Sequence, residues 1–439
     1  MSSRQDELQR LSEQVQQAVQ EHSTSDDPAA YDDALSAIQR LQLAVEKPGD
    51  YIARLRFQGL QNVAIIMLAE MGVLQCIVDQ KGQKVTADDL ANQTSSDGLL
   101  ISKLKGQHKT KGEYLGTDDG PERLMRLMSA IGVCEEKGEY TYQSNSMTEV
   151  LAVPGQIAGM RYMTETLFPI GSKIREYIND GGAKKGLPQS LPACKFAFGK
   201  TFWQLLDDEV DRRASFNEYM KAARRGGQAQ VWHERYPAAA KLKDEKLHVG
   251  PDALLMVDVG GGVGGQVGAF RQQYADLPGR CVLQDLPDTI KNNASPPANV
   301  ELMAYNFFTP QPLKGKHKIN PAHSVHIANE ENSTGARMYL FRSVCHDWDD
   351  EHSRKLLSNT VAAMDPMYSR LLIDEWVLPE SGASLKAANM DINMGLMFNA
   401  MERTKGQWEK LLGDVGLEIV QIFSSPGAAE AVIEAKVRQ

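Results

Sequence analysis

Leu254-Leu255-Met256-Val257-Asp258-Val259-Gly260-Gly261-Gly262-Val263-Gly264-Gly265 is the stretch whose reading decides the fold. It opens with a short, mostly apolar run of buried-strand length. It ends in glycines, which let a backbone turn sharply and approach a ligand closely. Further runs of the same kind follow at Arg280-Cys281-Val282-Leu283-Gln284, Met338-Tyr339-Leu340-Phe341 and Arg370-Leu371-Leu372-Ile373, with helical stretches between them. Strands alternating with helices imply a parallel, doubly wound α/β sheet of Rossmann-like type. The tail reads as a closing hairpin, Glu418 to Ile422 and Ala431 to Ala435 about a Pro426-Gly427 turn.

The glycine stretch satisfies two fingerprints at once. Gly260, Gly262 and Gly265 fit the dinucleotide pattern, while Asp258, Gly260, Gly262 and Gly264 fit the acid-x-G-x-G-x-G pattern of S-adenosylmethionine enzymes. Asp285, at the end of the next strand, is placed to accept hydrogen bonds from ribose hydroxyls, and both cofactors carry a ribose. Neither feature separates the two readings.

Ser343-Val344-Cys345-His346-Asp347-Trp348 follows a strand and precedes a helix over 349–364. Open parallel sheets bind ligands outside the carboxyl ends of their strands, so His346 faces the cofactor crevice. An imidazole has the pKa to take a proton from a phenol or enol near neutral pH. Two carboxylates strengthen the assignment: Glu375 ends the next strand, and Glu402 precedes the helix at Trp408. A carboxylate against an imidazole fixes its tautomer and stabilises the imidazolium. Hydride transfer and metal chemistry would need other partners, so no metal is expected.

The N-terminal part reads differently. Residues 1–45 form a helical arm, with Leu8, Leu11, Val15 and Val19 at helical spacing. A stronger helical pattern covers Tyr51 to Val78, a Thr86 cap opens another helix at Ala87, a further helix runs through 124–128, and a strand pair lies near Val133 and Tyr140-Thr141-Tyr142. Helices with a small hairpin make a winged-helix unit. Val85 to Gln93 holds acids and no arginine, which argues against a DNA-reading helix and for dimer packing. The expected organisation is a winged-helix-like dimerisation domain with its arm over 1–150, a helical linker and substrate-pocket segment over 151–245, and the cofactor-binding domain over 246–439.

The bulk properties fit this picture. In a chain of 439 residues, 42% hydrophobic residues suit a globular protein, and a net charge of −9 disfavours nucleic acid as a partner. No apolar run reaches bilayer length, and Met1 to Gln20 lacks the pattern of a secretory signal, so the expected location is cytoplasmic. The five scattered cysteines show no metal-ligand spacing and read as buried thiols in a reducing compartment.

Taken in order, Val257 to Gly262, Gln284-Asp285-Leu286-Pro287, Phe308 to Pro312, His346-Asp347-Trp348, Asp374-Glu375 and Glu402-Arg403-Thr404 resemble the plant- and fungal-type small-molecule O-methyltransferase family, which methylates phenols, flavonoids and polyketides. The resemblance spans nearly the whole chain. It points to the fungal secondary-metabolite branch through Phe308 to Pro312 and Trp232-His233-Glu234-Arg235-Tyr236-Pro237. It implies a class I methyltransferase sheet, S-adenosyl-L-methionine as cofactor and a homodimer. By position it implies cofactor contacts from Gly260, Asp285, Asn306, Phe307 and Arg342. Family members often carry Asp at the position of Asn306, so one negative charge near the sulfonium is missing here. Phe216, Met220, Asn393, Met394 and Met397 match positions that line the acceptor pocket.

The implied reaction is methyl transfer to a phenolic or enolic hydroxyl of a natural product such as a polyketide or alkaloid. Three alternatives are weaker. Pericyclic or dehydrating chemistry on the same fold would be favoured by loss of the His–Glu set. A non-catalytic dimeric interaction protein would not need the motifs, and a dehydrogenase lacks a second signature. The resemblance breaks twice, between Ile101 and Arg123 and between Gly315 and Ala336, at polar stretches of roughly twenty residues, unusually long for loops inside a compact unit. Ser102-Lys103 and Gly315-Lys316 can both be encoded with a splice donor, and Pro121-Glu122 and Thr334-Gly335 with a splice acceptor. Residues 103–122 and 316–334 therefore read as retained introns, with a pair of genuine surface loops as the alternative.

Overall fold

Helical spacing in the first half of the chain yields helices Ser2–Thr24, Pro28–Val45, Pro48–Glu70 and Val73–Asp79, the last two separated at Gly72, whose φ of +73° suits glycine. The computed structural model describes residues 2–25, 27–94, 123–182, 191–225, 231–242, 250, 253–314, 335–424 and 430–439. Both polar stretches and the Pro426-Gly427 turn lie outside the described residues. Two compact units form: one from Met1–Val15, Ser36–Ser172 and Trp203–Ala229, the other from Gln16–Leu35, Lys173–Phe202 and Gln230–Gln439.

In the first unit, strands β1 (Val85–Thr86), β2 (Glu135–Gly138) and β3 (Thr141–Gln143) make a small antiparallel sheet in the order β1-β3-β2. The Thr86 hydroxyl accepts the Asp89 N–H at 3.1 Å and donates to the Asp89 carboxylate at 2.6 Å, so the expected helix begins at Ala87. Leu68, Ile77, Leu90, Met125, Met128 and Tyr142 form the core of this unit. Ile38, Leu43, Val45, Ile52, Leu55, Phe57 and Leu60, on the helices over 28–70, remain exposed.

The second unit is built on the sheet that the glycine stretch announces. Its strands are β4 (Leu254–Val259), β5 (Arg280–Asp285), β6 (Glu301–Ala304), β7 (Met338–Arg342), β8 (Arg370–Leu378), β9 (Arg403–Thr404), β10 (Leu417–Ser424) and β11 (Glu430–Val437). Their order is β10-β11-β8-β7-β4-β5-β6, with β9 pairing β8. From β6 to β8 the pairings are parallel; β11 runs antiparallel to β8 and to β10. The central strands bury both faces: Tyr339 and Phe341 pack on one side, Met338 and Leu340 on the other. The chain leaves β4 in one direction to β5 and β6, then returns across it to β7. The switch point therefore lies between β4 and β7, where a ligand crevice is expected at the carboxyl ends. Among the described residues, no single helix is long and apolar enough to cross a membrane.

Candidate active site

The turn after β4 is made of backbone. Gly260, Gly262 and Gly264 have φ of +73°, +63° and +85°, the left-handed region that glycine enters without strain. The N–H groups of Gly260 and Gly261 both donate to the Gln284 carbonyl, at 2.8 and 3.2 Å, which ties the turn to β5. Space is short as well. A Cβ on Gly260 would lie 3.0 Å from Cγ2 of Val344 and 3.6 Å from the Phe307 ring, and one on Gly261 would lie 2.5 Å from Oδ2 of Asp258. Asp258 is thus buried directly beneath the turn. Asp285, at the end of β5, accepts the Gly262 N–H at 2.8 Å and the Leu286 N–H at 2.7 Å.

The segment after β6 is pinned beside this turn. Gln284 and Gln311 exchange amide hydrogen bonds of 2.8 and 2.9 Å in the interior, and the Tyr305 hydroxyl donates to the Thr309 carbonyl at 2.9 Å. Asn306 is exposed, and its Oδ1 accepts the Phe308 N–H at 3.0 Å. Phe307 lies edge-on to Trp348 with ring centres 6.0 Å apart.

The turn after β7 is made of charges. Ser343 takes φ of +50°, an uncommon conformation for a residue with a Cβ, and this turns the chain out of the sheet. The next two N–H groups, of Val344 and Cys345, donate to Oε1 of Glu375 at 2.9 and 2.8 Å. A short 3-10 turn, Cys345–Asp347, then presents His346. Nδ1 of His346 lies 2.8 Å from Oε1 of Glu402 and 3.7 Å from Oε2 of Glu375, and Nε2 lies 3.6 Å from Oδ1 of Asp347. The side chains of Glu375 and Glu402 are 1% exposed and that of His346 16%, so the imidazole is the accessible member of the set.

Burial alone would lower the His346 pKa, but Glu375, Asp347 and Glu402 together push it up to about 10. Burial raises Glu375 to about 7 and Asp347 to about 6, each held back by the charge of His346. This arrangement stabilises a positive imidazole ring.

The two turns meet through Val344, which abuts Gly260 and stands two residues before His346. The structure therefore brings Gly260, Phe307 and the His346 turn to one end of the sheet, with Asp285 bonded to Gly262. Arg342 ends β7, where its Nε donates to Asp374 at 2.7 Å; Asp374 also pairs with the buried Arg235. Asn393, Met394 and Met397 lie on helix Leu385–Phe398, which starts at a Ser384 cap and packs against the Cys345–Asp347 turn. Met394 and Met397 are buried. Oδ1 of Asn393 is buried without a hydrogen-bond partner among the described residues. Phe216 and Met220 lie on helix Val210–Arg225 of the first unit, where Phe216 packs edge-on against Tyr162 at 5.3 Å and Trp203 at 6.5 Å.

A model of the O-methyltransferase domain matches residues 329–418, the segment that carries His346, Glu375 and Glu402. Over 424 residues, 94% of each chain, the sequence is 30% identical to the O-methyltransferase ATR12 of Stachybotrys chlorohalonatus. The chain belongs to the S-adenosylmethionine-dependent O-methyltransferase family. This O-methyltransferase is also 29% identical, over 404 residues and 91% of each chain, to the demethylsterigmatocystin 6-O-methyltransferase of Aspergillus parasiticus. Its fold matches that of LepI solved in complex with SAM, with a TM-score of 0.79 at 24% identity, covering 97% of this chain and 98% of that one. The family's α/β sheet is what the glycine stretch implied, and its helical N-terminal region is what the spacing of apolar residues in the first part of the chain implied.

Sequence reasoning passed over two groups in this O-methyltransferase. Asp347 faces the nitrogen of His346 that Glu402 leaves free. Arg403 is fully buried and bonded to the turn that carries His346. Both stood within quoted motifs, and only their neighbours in space give them roles.

Proposed function

We propose that this O-methyltransferase moves the methyl group of S-adenosylmethionine to a phenolic or enolic hydroxyl of a small natural product, with His346 as general base. One observation carries the reading: an accessible imidazole on the turn beside the glycine turn, its Nδ1 2.8 Å from a buried carboxylate. The donor fits the turn after β4. A Cβ on Gly260 would crowd Val344 and Phe307, so the turn presents bare backbone to a ligand, and Asp285 and Phe307 border the same turn. When bound, the cofactor supplies an activated methyl on a sulfonium.

The rest is the work of the chain. In the neutral ring, Nδ1–H donated to Glu402 fixes the tautomer and leaves Nε2 to accept the hydroxyl proton; with the pKa at about 10 and not near neutrality, that form grows as pH rises. The buried carboxylates stabilise the imidazolium so formed. Asn393 offers an amide to a second polar group of the acceptor, while Met397 on the same helix adds apolar packing beside it. The acceptor named for the Aspergillus parasiticus relative, demethylsterigmatocystin, fits the same class of compound.

The test is His346→Ala. Calorimetric affinity for S-adenosylmethionine should be retained while turnover of a phenolic acceptor falls by about 10²–10⁴-fold. Acceptors are found by supplying methyl-labelled cofactor with a metabolite extract and identifying what gains the label. Turnover unchanged by the substitution dismisses the base.

The exposed apolar residues on the helices over 28–70 support a homodimer. Sedimentation of the full chain at micromolar concentration should give a dimer that Phe57→Glu dissociates; a monomeric wild type overturns this.

A further inference from the structure

Arg403 makes an unusual set of bonds for a residue with no exposed side-chain surface. One terminal nitrogen donates to the Cys345 carbonyl at 2.9 Å, and the other donates to the Trp348 carbonyl at 2.9 Å and to the Ser353 hydroxyl at 3.2 Å. Nε and that second nitrogen also meet Oδ1 of Asp350, at 3.1 and 3.0 Å. The guanidinium lies over the Trp408 ring, 5.3 Å from its centre. The two carbonyls belong to the residue before His346 and to the second residue after it. Arg403 therefore holds both ends of the turn from which the imidazole projects.

Its place in the chain adds to this. Glu402, the preceding residue, is the carboxylate that meets Nδ1 of His346. Two consecutive residues thus grip one turn in two ways, Glu402 the ring and Arg403 the backbone under it. Arg403 opens β9, directly after Glu402, and β9 pairs with Val377 and Leu378 of β8, the strand that carries Glu375. The ring, its two glutamates and the turn are consequently held in one frame. A guanidinium suits the task because its planar fork presents donors at fixed angles, whereas an ammonium is a single point with rotatable donors. Burying a charge is costly unless it is fully bonded, and here nearly every donor of the fork is engaged.

We infer that Arg403 is a positioning residue for His346: its fork fixes the turn so that Nδ1 stays on Glu402 and Nε2 stays open to the acceptor. This rests on the proposed role of His346, and its test reads the ring as well as the rate. The probe is Arg403→Lys, which keeps the charge and loses the fork. In the full-length wild type with labelled histidine, the Nδ1 proton shared with Glu402 gives a downfield NMR signal, assigned by its absence in His346→Ala. In Arg403→Lys that signal should broaden or vanish and kcat should fall about 10–100-fold, while KM for S-adenosylmethionine changes less than about threefold. A ring signal unchanged from wild type overturns the inference, whatever happens to kcat. A lost signal with kcat intact supports the positioning of the ring and removes His346 as the base. Should Arg403→Lys fail to fold, Asp350→Asn loosens the fork from its half-exposed partner. It should weaken the same signal and lower kcat about three- to tenfold; no change in either overturns the inference.

Discussion

The turns that leave β4 and β7 stand side by side and are built by opposite means. The first is a set of absences: three left-handed glycines, no room for a Cβ on Gly260 or Gly261, and bonds made by main-chain N–H groups. The second is a set of charges: an imidazole, three carboxylates within 3.7 Å of its nitrogens and a buried guanidinium on the backbone beneath. The turn after β4 should tolerate a change of charge nearby but not an added methyl. The turn after β7 should tolerate an isosteric change of shape but not the loss of a charge. Binding a cofactor needs a backbone that comes close, and moving a proton needs a field, so each turn has the build that its proposed task requires.

The largest way to break the comparison is to remove a charge without changing shape. Glu402→Gln keeps an oxygen against Nδ1 and removes one negative charge from the ring. We expect kcat/KM on the alkaline plateau, where the ring is neutral in both proteins, to fall by about 10²-fold, with cofactor affinity unchanged. The pH dependence carries a sign. The carboxylates raise the imidazole pKa, so wild-type kcat/KM should climb with pH into the alkaline range, toward about 10. In the variant the midpoint should move down by about 1–3 pH units. Stability moves the other way. A pKa raised from 6.5 to about 10 by folding contributes stability that is full below pH 6.5 and lost as pH rises toward 10. Glu375, raised from 4.5 to about 7, contributes stability that is lost between those values. Thermal melts from pH 6 to 10 should therefore show a falling Tm, falling less steeply in Glu402→Gln. Identical pH profiles in the two proteins would show that the charges around His346 do not set its basicity.

How much of this was legible follows from the same contrast. The central strands could be read because β4, β5, β7 and β8 are buried on both faces and spell near-continuous apolar runs. β6 could not be read: Glu301, Leu302 and Ala304 are exposed on an edge strand, and nothing in them marks a period. β9 is two residues long and exists because β8 is beside it. In the site, glycines announce their turn, since few other residues can occupy it. His346, Glu375 and Glu402 are recognisable by type and by their places after strands. The left-handed Ser343 carries no such mark, and neither does the Asp374 pair with Arg235, whose members are 139 positions apart. Arg403 looked like one more charged residue until its bonds to the His346 turn were visible. Chemical type is written in the sequence; the partner of a buried charge is not.

The smaller break is made on the glycine side, and it asks whether the two turns are coupled. Gly260→Ala and Gly262→Ala both place a Cβ on a left-handed residue, at a strain of about 1–2 kcal/mol. They differ in what the new carbon meets. At Gly262 nothing lies within 4 Å, while at Gly260 Val344 and Phe307 do. Gly262→Ala should therefore lower stability by the strain alone. Gly260→Ala should lose a further 1 kcal/mol or so, because the interior must shift to admit the methyl. Val344 is the neighbour that must move, and it leads into Cys345 and His346. Gly260→Ala should accordingly lower kcat about three- to tenfold at saturating cofactor, where Gly262→Ala leaves kcat within about twofold of wild type. Denaturant melts and saturating kinetics on the two variants read this directly. Equal stability and equal kcat would mean that the turns are neighbours without being coupled, each answering only for its own half of the reaction.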